Sequence, residues 1–169
     1  MKIKISDKLF KQKIKNIKLL CVDVDGVLTD GGMYYTEDGN EFKKFNVRDG
    51  MGIFLLKQIG IEVAIITFEN TKIVQNRANK LKINDLFMGA KNKVNSVEIL
   101  LKKYKLDWIN VCFIGDDIND NEVLKKVGLA VTPNDGISEN KKVVHLITGK
   151  KGGAGCVREL CDLIIKFNK

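Results

Sequence analysis

Two carboxylates two residues apart, Asp23 and Asp25, close the apolar run "LLCV" and are followed at once by Gly26. A second acidic group, Asp116, Asp117 and Asp120 in "GDDIND", closes the apolar run "NVCFI". Unpaired buried carboxylates are expensive, so a chain that only had to fold would avoid acids at such places. Hard oxygen donors of this kind suit Mg²⁺, which takes a few carboxylates and keeps other positions for water and phosphate oxygens. A carboxylate beside such an ion can attack phosphorus and form an aspartyl phosphate, because the metal offsets the repulsion between nucleophile and phosphate. An acid two residues later can protonate the leaving oxygen and then activate water. Gly26 would let backbone N–H groups approach a phosphate.

The elements that must position these residues follow from the hydrophobic pattern. "IKLLCVDV", "EVAIIT", "DLFMG", "NVCFIGDD", "GLAVT" and "VVHLIT" read as strands. Between them, "DGMGIFLLKQIG", "NTKIVQNRANKLKI", "KVNSVEILLKKY", "NDNEVLKKV" and the closing "GCVRELCDLIIKF" read as helices. The stretch "GMYYTEDGNEFKKFNV" reads as a hairpin over about 31–46, with Asp38-Gly39 as its turn. Strands alternating with helices predict an α/β fold, a doubly wound and mainly parallel sheet, occupying 1–169 as one domain. Such sheets place their sites at the carboxyl ends of the strands, where Asp23, Asp25, Thr67, Asp116 and Asp117 fall.

Composition narrows the classes. The 169 residues are 44% hydrophobic, which argues against disorder, and no apolar run approaches the ~20 residues of a membrane span. The N-terminus lacks the continuous apolar region of a signal peptide, so the expected location is cytoplasmic. The net charge of +8 comes from lysines spread along the chain without interleaved aromatics, which speaks against a nucleic-acid partner. None of the four cysteines forms a CxxC pair, and His145 is the single histidine, so no zinc spacing is present.

"DVDGVLTDG", "IIT", Lys93 and "GDDIND" resemble, in order, the four motifs of the haloacid dehalogenase superfamily of phosphatases. The resemblance implies Asp23 as nucleophile and Mg²⁺ ligand, and Asp25 as general acid/base with its backbone carbonyl on the metal. It implies Thr67 and Lys93 as partners of the phosphoryl group, Asp116 as the further metal ligand, and Asp117 and Asp120 as outer supports. The short spacers leave no room for a cap domain. From about Lys18 onward the chain is similar to the capless branch that acts on ulosonic acid phosphates. "GVLTDGGMYY", "FNVRDGMGI", "GIEVAIIT" and "GGAGCVRELCDLI" carry that similarity. Membership implies a homotetramer in which neighbouring subunits cover each active site.

Substrate contacts follow by the same resemblance. The loop Asn46, Val47, Arg48, Asp49 and Gly50 matches one the branch uses for substrate, and Arg77 matches a substrate-contacting arginine. Asp25 and Lys93 also border the substrate. The enzymes acting on 3-deoxy-D-manno-octulosonate 8-phosphate (KDO 8-phosphate) carry "ITGR" where this chain has "ITFE", so Glu69 stands in place of an arginine. A pairing of Glu69 with Lys80 resembles enzymes acting on the nine-carbon 2-keto-3-deoxynononate (KDN) 9-phosphate and sialic acid phosphates. The expectation is therefore a nine-carbon substrate, with KDO 8-phosphate as the alternative. A catalytically silent partner of a sugar-nucleotide synthetase is the reading from another class.

Overall fold

The computed structural model describes residues 1–168. Strands β1 (Lys2–Ile3), β2 (Leu19–Val22), β5 (Glu62–Ile66), β6 (Asp85–Phe87), β7 (Val111–Ile114), β8 (Leu129–Thr132) and β9 (Leu146–Ile147) form one sheet. Its order is β1-β9-β8-β7-β2-β5-β6, parallel throughout except where β1 runs against β9. Strands β3 (Tyr34–Tyr35) and β4 (Glu41–Phe42) make a separate hairpin. The helices are α1 (Asp7–Lys15), α2 (Val47–Gln58), α3 (Lys72–Lys80), α4 (Lys93–Tyr104), α5 (Asn121–Leu124), α6 (Ser138–Val143) and α7 (Cys156–Asn168).

Both faces of the sheet are covered, as parallel strands require. The period-two alternation divides the apolar residues of each strand between two cores. Leu20, Val22, Val63 and Ile65 pack with Phe10 and Ile14 of α1, Ile53 and Leu56 of α2, Val74 and Ala78 of α3, and Leu160 and Ile164 of α7. Leu19, Cys21, Ala64, Ile66 and Phe113 face the other way, onto Val97 and Leu100 of α4 and Val123 and Leu124 of α5. None of the described helices is long and apolar enough to cross a membrane.

The α/β architecture agrees with the expectation, and three local features differ. The N-terminal segment, to which the sequence reading gave no element, supplies β1 and α1. Ser6 caps α1 by accepting from Leu9 N–H, and Phe10 and Ile14 bury the i, i+4 face. Helix α6 is likewise outside the predicted elements. Finally, α2 begins at Val47, two residues before the "DGMGIFLLKQIG" stretch, because the Asn46 side chain accepts from Arg48 N–H and caps the helix there.

Candidate active site

The sheet order explains why distant acids meet. Strands β7, β2 and β5 are neighbours, and their parallel registers set Val22 beside Ile65 and Ile114. The residues just past these strands therefore emerge side by side: Asp23 and Asp25, Thr67, and Asp116. Side-chain oxygens of Asp23, Asp116 and Asp120 come within 4.8 Å of one another. Asp23 and Thr67 are buried, Asp25 and Asp116 half-buried, and Asp117 is exposed at the rim. A cavity of about 250 Å³ opens over them, bordered also by Phe68, Glu69 and Asn119. A larger cavity, about 490 Å³, lies alongside between the start of α4 and α5. The acids border the smaller one.

Lys93, the first residue of α4, lies beneath the acids and is 2% exposed. Its Nζ stands 2.8 Å from Asp23 Oδ2 and 2.6 Å from Asp120 Oδ1. Burial works against its charge, but Asp23 and Asp120 hold the ammonium above its ordinary value. Asp23 Oδ1 accepts from Val24 N–H at 2.7 Å. Asp120 Oδ2 accepts from the N–H groups of Asp116 and Asp117, so both of its oxygens are already engaged. This geometry makes Asp120 the organiser of the loop that carries Asp116.

The conformation of the first acid loop depends on glycine. Gly26 has φ +77°, and a Cβ there would lie 2.0 Å from Asp116 Oδ2. Gly152 closes the other side, where a Cβ would lie 1.9 Å from the Gly26 carbonyl oxygen. Gly26→Ala is expected to displace Asp116 and lower turnover by ~10²-fold or more, the cost of misplacing a reacting group by an ångström. Steady-state rates of a variant with a native circular dichroism spectrum check this. Wild-type turnover would show that the close approach has no bearing on the chemistry.

The donor set fits a divalent cation. Asp25 Oδ2 and Asp116 Oδ1 are buried without a hydrogen-bond partner. Burial, then the charge of Asp120, pushes the Asp23 carboxyl well above the ordinary range, against the pull of Lys93. Burial with Asp120 and Asp117 pushes Asp116 up to about 7. One buried lysine does not neutralise this cluster, and a hard cation on free carboxylate oxygens would.

Several expected substrate contacts lie elsewhere in this chain. None of Asn46, Val47, Arg48, Asp49 and Gly50 borders the cavity of the acids. Asn46 donates to Gly153 O, and its own carbonyl accepts from Arg77 Nη2. Asp49 is fully buried and accepts from Arg158 N–H at 2.7 Å, which ties the first turn of α2 to the start of α7. Gly50 is buried against Leu81 and Arg77. Val47 is 80% exposed, and the exposed Arg48 borders a separate cavity beside Arg158 and Asp162 of α7. The guanidinium of Arg77 lies over the Phe45 ring, 5.2 Å from its centroid. Arg77 therefore braces the entry to α2. Glu69 does reach the cavity. Its expected pairing with Lys80 is not among the ion pairs of the described residues. Lys80 is the exposed last residue of α3, and Glu69 precedes the first, so the length of the helix separates them.

Two residues near the acids escaped the sequence reading. Thr29 Oγ1 lies 3.4 Å from Asp25 Oδ1, and Lys43 Nζ lies 2.7 Å from the same oxygen. The available signal was the i, i+2 spacing of Glu41 and Lys43, which puts both on one face of the hairpin strand.

The family model for haloacid dehalogenase-like hydrolases matches residues 53–160. A 3-deoxy-D-manno-octulosonate 8-phosphate phosphatase of Yersinia pestis is 44% identical over 91% of this chain and 82% of its own. A solved structure of that enzyme from Yersinia pestis superposes with a TM-score of 0.93, at 41% identity over 97% of this chain and 88% of the other. The Moraxella catarrhalis enzyme, solved with magnesium, phosphate and KDO, gives a TM-score of 0.92 at 38% identity, covering 96% and 93%. These relatives are named for the eight-carbon substrate. They favour the alternative expectation, and none of them supports the nine-carbon preference drawn from Glu69 and Lys80.

Proposed function

The chain belongs to the haloacid dehalogenase-like hydrolases, and on that premise we propose that it is a Mg²⁺-dependent phosphatase acting on KDO 8-phosphate. The observation that carries the chemistry is the meeting of Asp23 and the unpartnered oxygens of Asp25 and Asp116 at the adjacent ends of β2 and β7, with Lys93 of α4 beneath them. Asp23 attacks phosphorus as the ester P–O bond breaks, and Asp25 gives its proton to the leaving oxygen. Asp25 then takes a proton from water, whose oxygen displaces Asp23 from phosphorus. Lys93 keeps Asp23 oriented and offsets charge on the phosphoryl group, and Thr67 borders the cavity as a hydrogen-bond partner for its oxygens. Asp23, Asp116 and the Asp25 carbonyl would hold Mg²⁺, which supplies charge neutralisation at the phosphoryl oxygens.

Rates on KDO 8-phosphate, KDN 9-phosphate and N-acetylneuraminate 9-phosphate, each with Mg²⁺ and with EDTA, test the proposal. KDO 8-phosphate is expected to give the highest kcat/KM, lost in EDTA. No Mg²⁺-dependent hydrolysis of any of them would instead support a silent assembly partner. A second reading, a nine-carbon substrate, draws on the position of Glu69 at the cavity rim, where its carboxylate can accept from sugar hydroxyls. A nine-carbon preference that Glu69→Arg reverses would establish that reading.

Metal dependence should vary with pH. Without a cation, the folded Asp23 and Asp116 retain protons that the unfolded chain releases in the ordinary carboxylate range. Their raised values favour the metal-free fold at low pH and penalise it progressively as pH climbs from the ordinary 3.8 to about 7. Mg²⁺ replaces those protons, so its increment in melting temperature is expected to grow from about pH 5 to about pH 8. An increment equal at both ends would place the metal elsewhere.

The hairpin presents Met33, Tyr34, Tyr35 and Phe42 to solvent, each at least 44% exposed. This apolar patch supports assembly as a homotetramer whose subunits cover one another's open sites. Sedimentation of the active protein at four times the chain mass is expected. A fully active monomer would contradict it.

A further inference from the structure

Lys43 leaves the hairpin between two outward residues, the exposed Phe42 and Lys44, yet its own side chain is only 1% exposed. The alternation of the strand turns it inward, beside Glu41. Its Nζ stands 2.7 Å from Asp25 Oδ1. Glu41 Oε1 lies 3.1 Å from the ammonium, in ion-pair range but outside hydrogen-bond geometry. Asp25 Oδ1 thus has Lys43 and Thr29 as neighbours, whereas Asp25 Oδ2 is buried without a partner. Asp25 is half-buried, so the pair is open to solvent on one side and a modest source of stability, and the neighbouring hairpin side chains Tyr34, Tyr35 and Phe42 face solvent.

We propose that Lys43, steadied by Glu41, is a positioning residue that fixes the Asp25 carboxyl with Oδ2 as its working oxygen. The proposal rests on the reading of Asp25 as general acid and base. A lysine ammonium has donors only, so the oxygen facing it is held as an acceptor and the acid's proton is directed to the other oxygen. That proton sits on Oδ2. In the first step the Asp23–phosphorus bond forms, the ester bond breaks, and the departing oxygen takes the Oδ2 proton. In the second, water adds to phosphorus, the bond to Asp23 breaks, and the water proton returns to Oδ2. The hairpin thereby contributes a side chain to the chemistry as well as a surface for assembly.

Leaving-group dependence tests this directly. kcat/KM reports steps only up to release of the alcohol, and a good leaving group needs no acid there. Lys43→Met is expected to lower kcat/KM for glycerol 2-phosphate by ~10²-fold but for 4-nitrophenyl phosphate by less than ~3-fold. Lys43→Arg should recover most of the loss. Asp25→Asn should show the same bias, and adding Lys43→Met to it should cost less than ~3-fold more, because both act through one group. Equal losses on the two esters, or a full second loss in the double variant, would overturn the proposal. If Asp25→Asn shows the bias and Lys43→Met does not, the role of Lys43 falls and that of Asp25 stands. If Asp25→Asn shows no bias, both fall. Should Lys43→Met fail to fold, Glu41→Gln serves instead. It is expected to give a smaller bias of the same sign, and no bias would overturn the proposal.

Discussion

Asp23→Asn is expected to lose at least ~10³-fold in turnover, the scale seen when a covalent nucleophile is removed. The amide keeps the shape of the side chain but is neutral and a poor nucleophile, so it neither attacks phosphorus nor holds a cation well. The effect should be confined to chemistry. Asp23 is 4% exposed and shares Lys93 with Asp120, so the variant loses one of two carboxylates and leaves the ammonium paired. Because burial and Asp120 already disfavour the charge on Asp23, the metal-free variant should melt no lower than the wild type. Turnover within tenfold of the wild type would remove Asp23 from the reaction.

Lys93→Met has the second largest expected effect, and it acts on stability and rate together. It leaves Asp23 and Asp120 facing one another with no positive charge between them. Breaking a buried pair by removing one partner costs about 3–5 kcal/mol, so the metal-free variant should melt well below the wild type. Mg²⁺ should restore part of that loss, since it supplies charge to the same cluster. Turnover should fall by ~10²–10³-fold, the range for losing a preorganised group that meets developing charge. Melting curves and rates, each with and without Mg²⁺, check both. A variant with wild-type stability and turnover would show that the ammonium is neither a counter-ion nor a partner of the phosphoryl group.

The parallel sheet was legible because buried runs such as Leu19–Val22 and Val111–Ile114 alternate with segments of helical period such as α4. The grouping of Asp23, Thr67 and Asp116 followed from strand ends alone, since parallel register leaves them nowhere else to emerge. Less legible was anything set by contacts between distant segments. "NVRDG" reads locally as a polar loop, and only the burial of Asp49 against the start of α7 reveals a helix cap locked to another helix. The resemblance implies a pairing of Glu69 with Lys80, but the helix between them holds them apart. Lys43 looks like one more solvated lysine in a basic chain until the hairpin folds it onto Asp25. Gly152 has a similar history, because its reason is the backbone of Gly26, far away in sequence.

The central claim is that Asp23 carries the phosphoryl group between substrate and water. The most direct measurement is mass spectrometry of peptides from the Mg²⁺-loaded enzyme, quenched in acid during turnover of KDO 8-phosphate or, failing hydrolysis of that sugar, of 4-nitrophenyl phosphate. The account predicts a phosphoryl group on the peptide containing Asp23, absent from Asp23→Asn and, with 4-nitrophenyl phosphate, whose leaving group needs no acid, accumulating in Asp25→Asn, where water is no longer activated. Steady hydrolysis with no phosphorylated peptide, or with the phosphoryl group on another residue, would contradict it.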